Sequence, residues 1–283
     1  MTRYLLALLG FLVWPATAWA CDGYDLAAVQ TTAFSYNAAD PTASTLELEL
    51  RAVESGLERR CRNVSVEIEI IGGTARDPDL VTIADRLSTE WIRTQPVRRN
   101  GDVWRLRRSA RTDLVNGETV SFAFYLIEAG QFLPPGEYQH SLRITVGDRV
   151  TTLPLSVTVQ PTMRFEGEST EGTQVLDLGD ITNGARASSD FFYRTNSAMA
   201  ITLVSDNRGA LQHEAGPAFG RIEYTASISG QTVDLSRAEG DTVEFAFSGT
   251  GIQTGRLEVE VPPSPFQYAG RYRDVITMSF IPY

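Results

Sequence analysis

Apolar and polar residues alternate with period two along most of this chain. Leu46, Leu48 and Leu50 are interleaved with Glu47, Glu49 and Arg51, and Val64, Val66, Ile68 and Ile70 with Ser65, Glu67 and Glu69. The pattern recurs at 119–125, 141–146, 155–159, 201–204, 221–228, 243–247, 257–261 and 275–281. Such alternation puts one set of side chains in a core and the other in water. Short runs of this kind, parted by Gly, Pro, Asn and Asp, predict an all-β protein of two immunoglobulin-like antiparallel sandwiches. Gly147-Asp148, between two such runs, predicts a hairpin turn. Only Thr82 to Trp91 has a locally helical pattern.

Residues 1–20 read as an export signal. A short positive start precedes the apolar run Tyr4–Trp14, and Ala16-Thr17-Ala18-Trp19-Ala20 supplies the small residues of a cleavage site. Cleavage is expected before Cys21. The remainder divides near Gln160-Pro161, where alternation gives way to the polar stretch Glu166–Gly172, so the expected units are 21–160 and 161–283.

The two units end alike. Gly130–Tyr138 is a Pro-containing loop closing on Gly136-Glu137-Tyr138, and Pro262–Asp274 closes on Gly270-Arg271-Tyr272. Each is followed by an alternating run, which suggests a duplicated domain type. The first copy then has a further strand candidate, Arg149–Val159, with no counterpart in the second. The second unit is therefore expected to lack its last strand, with an open edge lined by Ile276, Met278 and Phe280 that another chain's strand would fill.

The formal charge of −10 disfavours nucleic acid and anionic membranes as general partners, and no stretch after the signal approaches the roughly 20 apolar residues of a membrane span. Two histidines, His140 and His213, fall in different units, which weighs against a histidine triad or metal cluster; no phosphate-binding glycine loop is present, and no cofactor or enzyme activity is expected. The two cysteines, Cys21 and Cys61, would form a disulfide in an oxidising compartment, unless Cys21 is instead lipidated. All 25 basic residues are arginine, and seven lie between Arg93 and Arg111 together with Trp91 and Trp104. That segment reads either as a binding edge for an anionic or planar surface or as a solvated hairpin around a buried Trp104 with its arginines paired to acids. Phe132 and Leu133 read either as an exposed apolar loop tip or as the packed end of the sandwich.

The passage Phe124–Tyr138 resembles the spore coat protein U family, which includes pilins of archaic chaperone–usher fimbriae, and Tyr268–Tyr283 resembles it more closely, keeping Asp274 and a terminal tyrosine. The pairing of Cys21 with Cys61 and the run Leu176-Asp177-Leu178-Gly179-Asp180 are similar to that family as well. The resemblance implies passage through the periplasm, capture by a chaperone that lends a strand, assembly by an outer-membrane usher onto an adjacent pilin subunit, and a place on the cell surface. Two domains without a free N-terminal extension resemble a tip adhesin meeting an abiotic or host surface. The alternatives are a self-contained secreted sandwich that binds carbohydrate or protein, and a periplasmic assembly chaperone, against which the lysine-free acidic chain argues.

Overall fold

The computed structural model describes residue 21 and residues 24–30, 34–54, 56–71, 79–82, 84–93, 95–167, 172–264 and 267–283; the export signal expected at 1–20 lies outside them. Within these bounds the alternating runs are strands, because apolar residues at every second position bury together on one pleated face. In the first half they are β1 (Leu26–Gln30), β2 (Phe34–Tyr36), β3 (Ser44–Ala52), β4 (Val66–Ile70), β5 (Leu80–Val81), β6 (Arg86–Leu87) and β7 (Thr89–Trp91). They continue with β8 (Val97–Asn100), β9 (Val103–Leu106), β10 (Val120–Ile127), β11 (Gly136–Val146) and β12 (Arg149–Val159). A 3-10 helix (Arg59–Asn63) precedes β4 and one α-helix, α1 (Arg108–Val115), precedes β10.

One sheet of this half has the order β1-β3-β10-β7 and the other β2-β12-β11-β4-β9-β8. All neighbours are antiparallel except β2 and β12. Leu46, Leu48 and Leu50 from the first sheet and Ile68, Leu142, Ile144 and Leu155 from the second meet in a core from which water is fully excluded. Trp104 lies at its centre, with its ring 4.9 Å from Phe124 and 6.3 Å from Tyr125. Cys21 and Cys61 are joined, with Cα atoms 5.5 Å apart, so the Cys21 sulfur is not free for lipid attachment.

The second half contributes β13 (Met163–Phe165), β14 (Ala185–Thr195), β15 (Met199–Ser205), β16 (Ala210–His213), β17 (Arg221–Glu223), β18 (Thr225–Ile228) and β19 (Gln231–Val233). After these come β20 (Asp241–Phe245), β21 (Gln253–Val261), β22 (Tyr272–Arg273) and β23 (Ile276–Pro282). Its sheets are β13-β14-β21-β18-β19, β20-β15-β23 and the small β17-β16-β22. Among the described residues no strand of one half pairs with a strand of the other, and the buried apolar side chains form two separate cores.

Two local expectations are corrected. Thr82 to Trp91 is not helical: Leu87 and Thr89 are buried while Arg86, Ser88 and Glu90 are exposed, the period-two signature of β6 and β7. The helix is α1 instead, which buries Ala110, Leu114 and Val115 at helical spacing. The run 221–228 is not one strand. It breaks at Tyr224, whose N–H bonds to Gly209 O at 3.1 Å, and its parts, β17 and β18, join different sheets. The Gly147-Asp148 hairpin is present, with Val146 paired to Arg149 and Gly147 at φ 62°.

Candidate strand-acceptor edge

Gly136-Glu137-Tyr138 leads into β11, and Gly270-Arg271-Tyr272 leads into β23. Both glycines sit at strongly positive φ, 153° and 155°, a conformation that side chains resist. At Gly270 a Cβ would lie 2.1 Å from His213 Nε2, so no other residue fits there without displacing the histidine ring. Each tyrosine latches its loop in the same way: Tyr138 OH donates to Pro134 O and Tyr272 OH to Tyr268 O, both at 3.0 Å and both across four residues.

Beyond the latches the strands are counterparts. Leu142, Ile144 and Val146 of β11 lie opposite Ile70, Ile68 and Val66 of β4. Ile276, Met278 and Phe280 of β23 lie opposite Ser205, Leu203 and Ile201 of β15. Asp274 anchors the start of β23. Its carboxylate accepts hydrogen bonds from Ser205 Oγ at 2.6 Å, Tyr224 OH at 2.5 Å, and the N–H groups of Asn207 and Val275 at 3.0 and 2.8 Å. Burial, with the Asp274 carboxylate beside it, holds the Tyr224 phenol far above its ordinary pKa.

The two strands differ on their other side. β12 runs beside β11 over eleven residue pairs, from Gly136–Val159 to Val146–Arg149. Its Leu153, Leu155, Val157 and Val159 close the core, and Leu142 and Ile144 are 0% exposed. β23 pairs with β15 alone, and no described segment lies along its other edge. Ile276, Met278 and Phe280 all point at the core, yet each remains partly exposed. Further half-buried apolar side chains pack against the same core: Met163 and Phe165 of β13, then Leu176, Leu178 and Ile181. Phe280 spans the two sides, 5.1 Å from Phe165 and 5.4 Å from Phe191 between ring centroids. The result is an apolar rim with a row of unpaired backbone groups beside it, the arrangement that accepts an added strand.

The residues expected to bind a surface are placed elsewhere. Trp104 is enclosed in the first core, and Trp91 is half-buried, its ring 6.2 Å from that of Trp104. Phe132 is buried, with the guanidinium carbons of Arg164 and Arg194 each about 5 Å from its ring centre. Leu133 packs against the first core, and its carbonyl accepts a bond from Asn196 Nδ2 at 2.9 Å. Of the two readings given for each, packing therefore describes Trp104, Phe132 and the partly buried Leu133.

Asn196 is a residue the sequence did not announce. It is fully buried where the halves meet. Its Nδ2 also donates to Gln160 O at 2.9 Å, its Oδ1 accepts from Thr162 N–H at 2.8 Å, and Thr162 Oγ1 donates to Asn37 Oδ1 at 2.7 Å. Asn196→Ala strands two carbonyls and one N–H away from water, so it is expected to destabilise the protein by about 2–4 kcal/mol, measured by urea unfolding. A loss below about 0.5 kcal/mol would show that water replaces the amide.

Among the described residues no cluster of three His, Cys, Asp or Glu side chains could hold a metal, and no helix is long and apolar enough to cross a membrane. His140 stacks edge-on to Tyr125 at 5.5 Å, and burial lowers its pKa. His213 lies between Phe219 and Tyr272, its Nδ1 accepting the Ala215 N–H at 3.0 Å.

No protein-family model matches the chain, and no curated protein matches its sequence. Solved structures with a similar course of chain include the CsuC–CsuE chaperone–tip adhesion subunit pre-assembly complex from archaic chaperone–usher Csu pili of Acinetobacter baumannii. That match has 12% identity over 90% of this chain and 99% of the other, with a TM-score of 0.40. A chaperone–tip adhesin complex of CFA/I fimbriae matches at 12% identity over 91% and 84%, with a TM-score of 0.35. AggA, the major subunit of aggregative adherence fimbriae type I from Escherichia coli, matches at 14% identity over 48% and 95%, with a TM-score of 0.37. Likeness at this level does not assign a function.

Proposed function

We propose that this chain is an exported tip or minor subunit of a chaperone–usher fimbria, built of units 21–160 and 161–283, whose second unit accepts a β-strand from another chain along the free edge of β23. The observation that carries this reading is internal to the molecule. Two strands with the same Gly-x-Tyr latch and the same register stand side by side for comparison, and one is covered by β12 while the other is bare. A periplasmic chaperone would cover the edge in transit, and a neighbouring subunit would replace it at the usher.

The test is production of the full chain in the periplasm with and without a cognate chaperone. Alone it should aggregate or be degraded; together the two should purify as a one-to-one complex. Met278→Asp should abolish the complex, because a carboxylate placed on the rim cannot be desolvated by the incoming strand. A stable, soluble monomer without the chaperone would overturn the reading.

A further inference from the structure

The arginine-rich segment gains members in three dimensions. The 3-10 helix carries Arg59, Arg60 and Arg62, and α1 packs against it. Arg107 caps the start of α1, and Arg108 and Arg111 are neighbours one turn apart on it. That face meets the 3-10 helix: Arg111 Nη1 donates to the carbonyl of Val64, the residue that ends it, at 2.8 Å. The Arg107 N–H donates to Pro96 O at 2.8 Å, which sets the start of α1 beside β8. β8 is the free edge of its sheet, so a chain lying along it meets both Arg98, directly opposite Arg105, and Arg99, which leaves the strand on the other face.

Few acids answer this charge. Arg105 pairs with Glu67 at 2.7 Å and Arg60 with Glu58 at 2.5 Å. Arg59, Arg98, Arg99, Arg107 and Arg108 are exposed and make no ion pair among the described residues. From Val97 to Arg111 six arginines stand against one acid, Asp102, in a chain whose net charge is −10. Like charges opposite one another on a sheet, or a turn apart on a helix, repel, and cations at the start of a helix oppose its dipole. The fold alone gains nothing from this grouping.

We propose that this patch binds an acidic polysaccharide, with the guanidinium groups of Arg98, Arg99, Arg107 and Arg108 meeting its carboxylate or sulfate groups. Planar guanidinium forks match such groups in pairs of parallel hydrogen bonds, and the chain contains no lysine. The acidic remainder selects the occupant. A flat anionic membrane or a stiff nucleic-acid duplex is broad enough to meet the rest of this acidic chain as well. A single glycan chain is narrow enough to lie on the patch alone. The inference does not depend on strand acceptance, because the patch lies wholly in the first half.

The test uses the full exported chain, purified alone or with a strand-lending partner, and measures binding to heparin, polygalacturonate, neutral dextran, a DNA duplex and anionic phosphatidylglycerol vesicles. Heparin and polygalacturonate should bind, dextran should not, and binding should fade as salt screens the charges. R98Q/R99Q/R107Q/R108Q should weaken binding by at least about tenfold, as expected when several charge-assisted hydrogen bonds are removed together. R149Q/R221Q/R237Q/R271Q, with the same change in net charge, should change it less than about twofold. Equal losses in the two variants, or no binding of either acidic glycan, would overturn the proposal. Tighter patch-dependent binding to the duplex or the vesicles would overturn the choice of a glycan.

Discussion

Grafting a copy of β12 onto the bare edge of β23 should stabilise the second half and make the chain soluble without a partner. The register dictates the design. In the first half Val146, which points inward, pairs with Arg149 across the two-residue turn Gly147-Asp148. The inward residues of β23 are Ile276, Met278, Phe280 and Pro282. A Gly-Asp turn followed by the sequence of Arg149–Val159, placed directly after Pro282, sets the copied Leu153 opposite Met278 and the copied Leu155 opposite Ile276. Burying these two side chains and the copied Val157 contributes about 1.5–3 kcal/mol each. Ordering the segment opposes that gain, and the net effect should be on the order of 3 kcal/mol, raising the melting temperature of this half by about 10 °C. The control inserts one residue more, placing the turn after Tyr283. A one-residue slip turns every side chain to the opposite face, so Thr152, Pro154 and Ser156 of the copy would face the core and the stabilisation should vanish. Equal melting temperatures for the two grafts would show that the edge of β23 is not an acceptor.

The second large effect concerns the other half. Replacing both cysteines, as C21S/C61S, should lower the stability of the first half by about 4 kcal/mol, the loop-closure value for a bridge across 40 residues. The same bridge ties the 3-10 helix to Cys21, and Cys61 is fully buried in the core, so a serine there also leaves a hydroxyl to be satisfied. In calorimetry the transition of the first half should fall by on the order of 10 °C or more while that of the second half stays in place. Coincident falls in both transitions would mean that the halves unfold as one unit.

Much of this architecture was legible because alternation is a local signal. Leu46, Leu48 and Leu50 point inward whatever they meet, so the strand at 44–52 could be read without knowing its neighbours. The repeated Gly-x-Tyr was also visible, and with it the correspondence of the run at 275–281 to the one at 141–146. Short strands with mixed faces were not. Arg86–Leu87 and Thr89–Trp91 are too brief to establish a period, and helix α1 opens on arginines that carry no apolar repeat. The inward-facing residues Ile276, Met278 and Phe280, proposed here as the acceptor row, could be named from alternation. The aromatic that meets Phe280 could not, because Phe165 is distant in sequence and reaches this core only through the pairing of β13 with β14. Phe132 was left with two readings and Asn196 was missed for the same reason: what covers a loop aromatic, or satisfies a buried amide, is decided by the other half of the chain.

The seam at Asn196 bears on how force would travel through this molecule. A pull delivered to β23 passes into β15 along seven paired residues and through the bond from Tyr283 N–H to Ala198 O. Ala198 lies two residues from Asn196, whose amide is bolted to Leu133 and Gln160 of the first half. Tension therefore reaches that half through several hydrogen bonds loaded together, in parallel with the short covalent connection at Gln160–Thr162. A load on β23 would thus be shared between the Asn196 amide and the backbone.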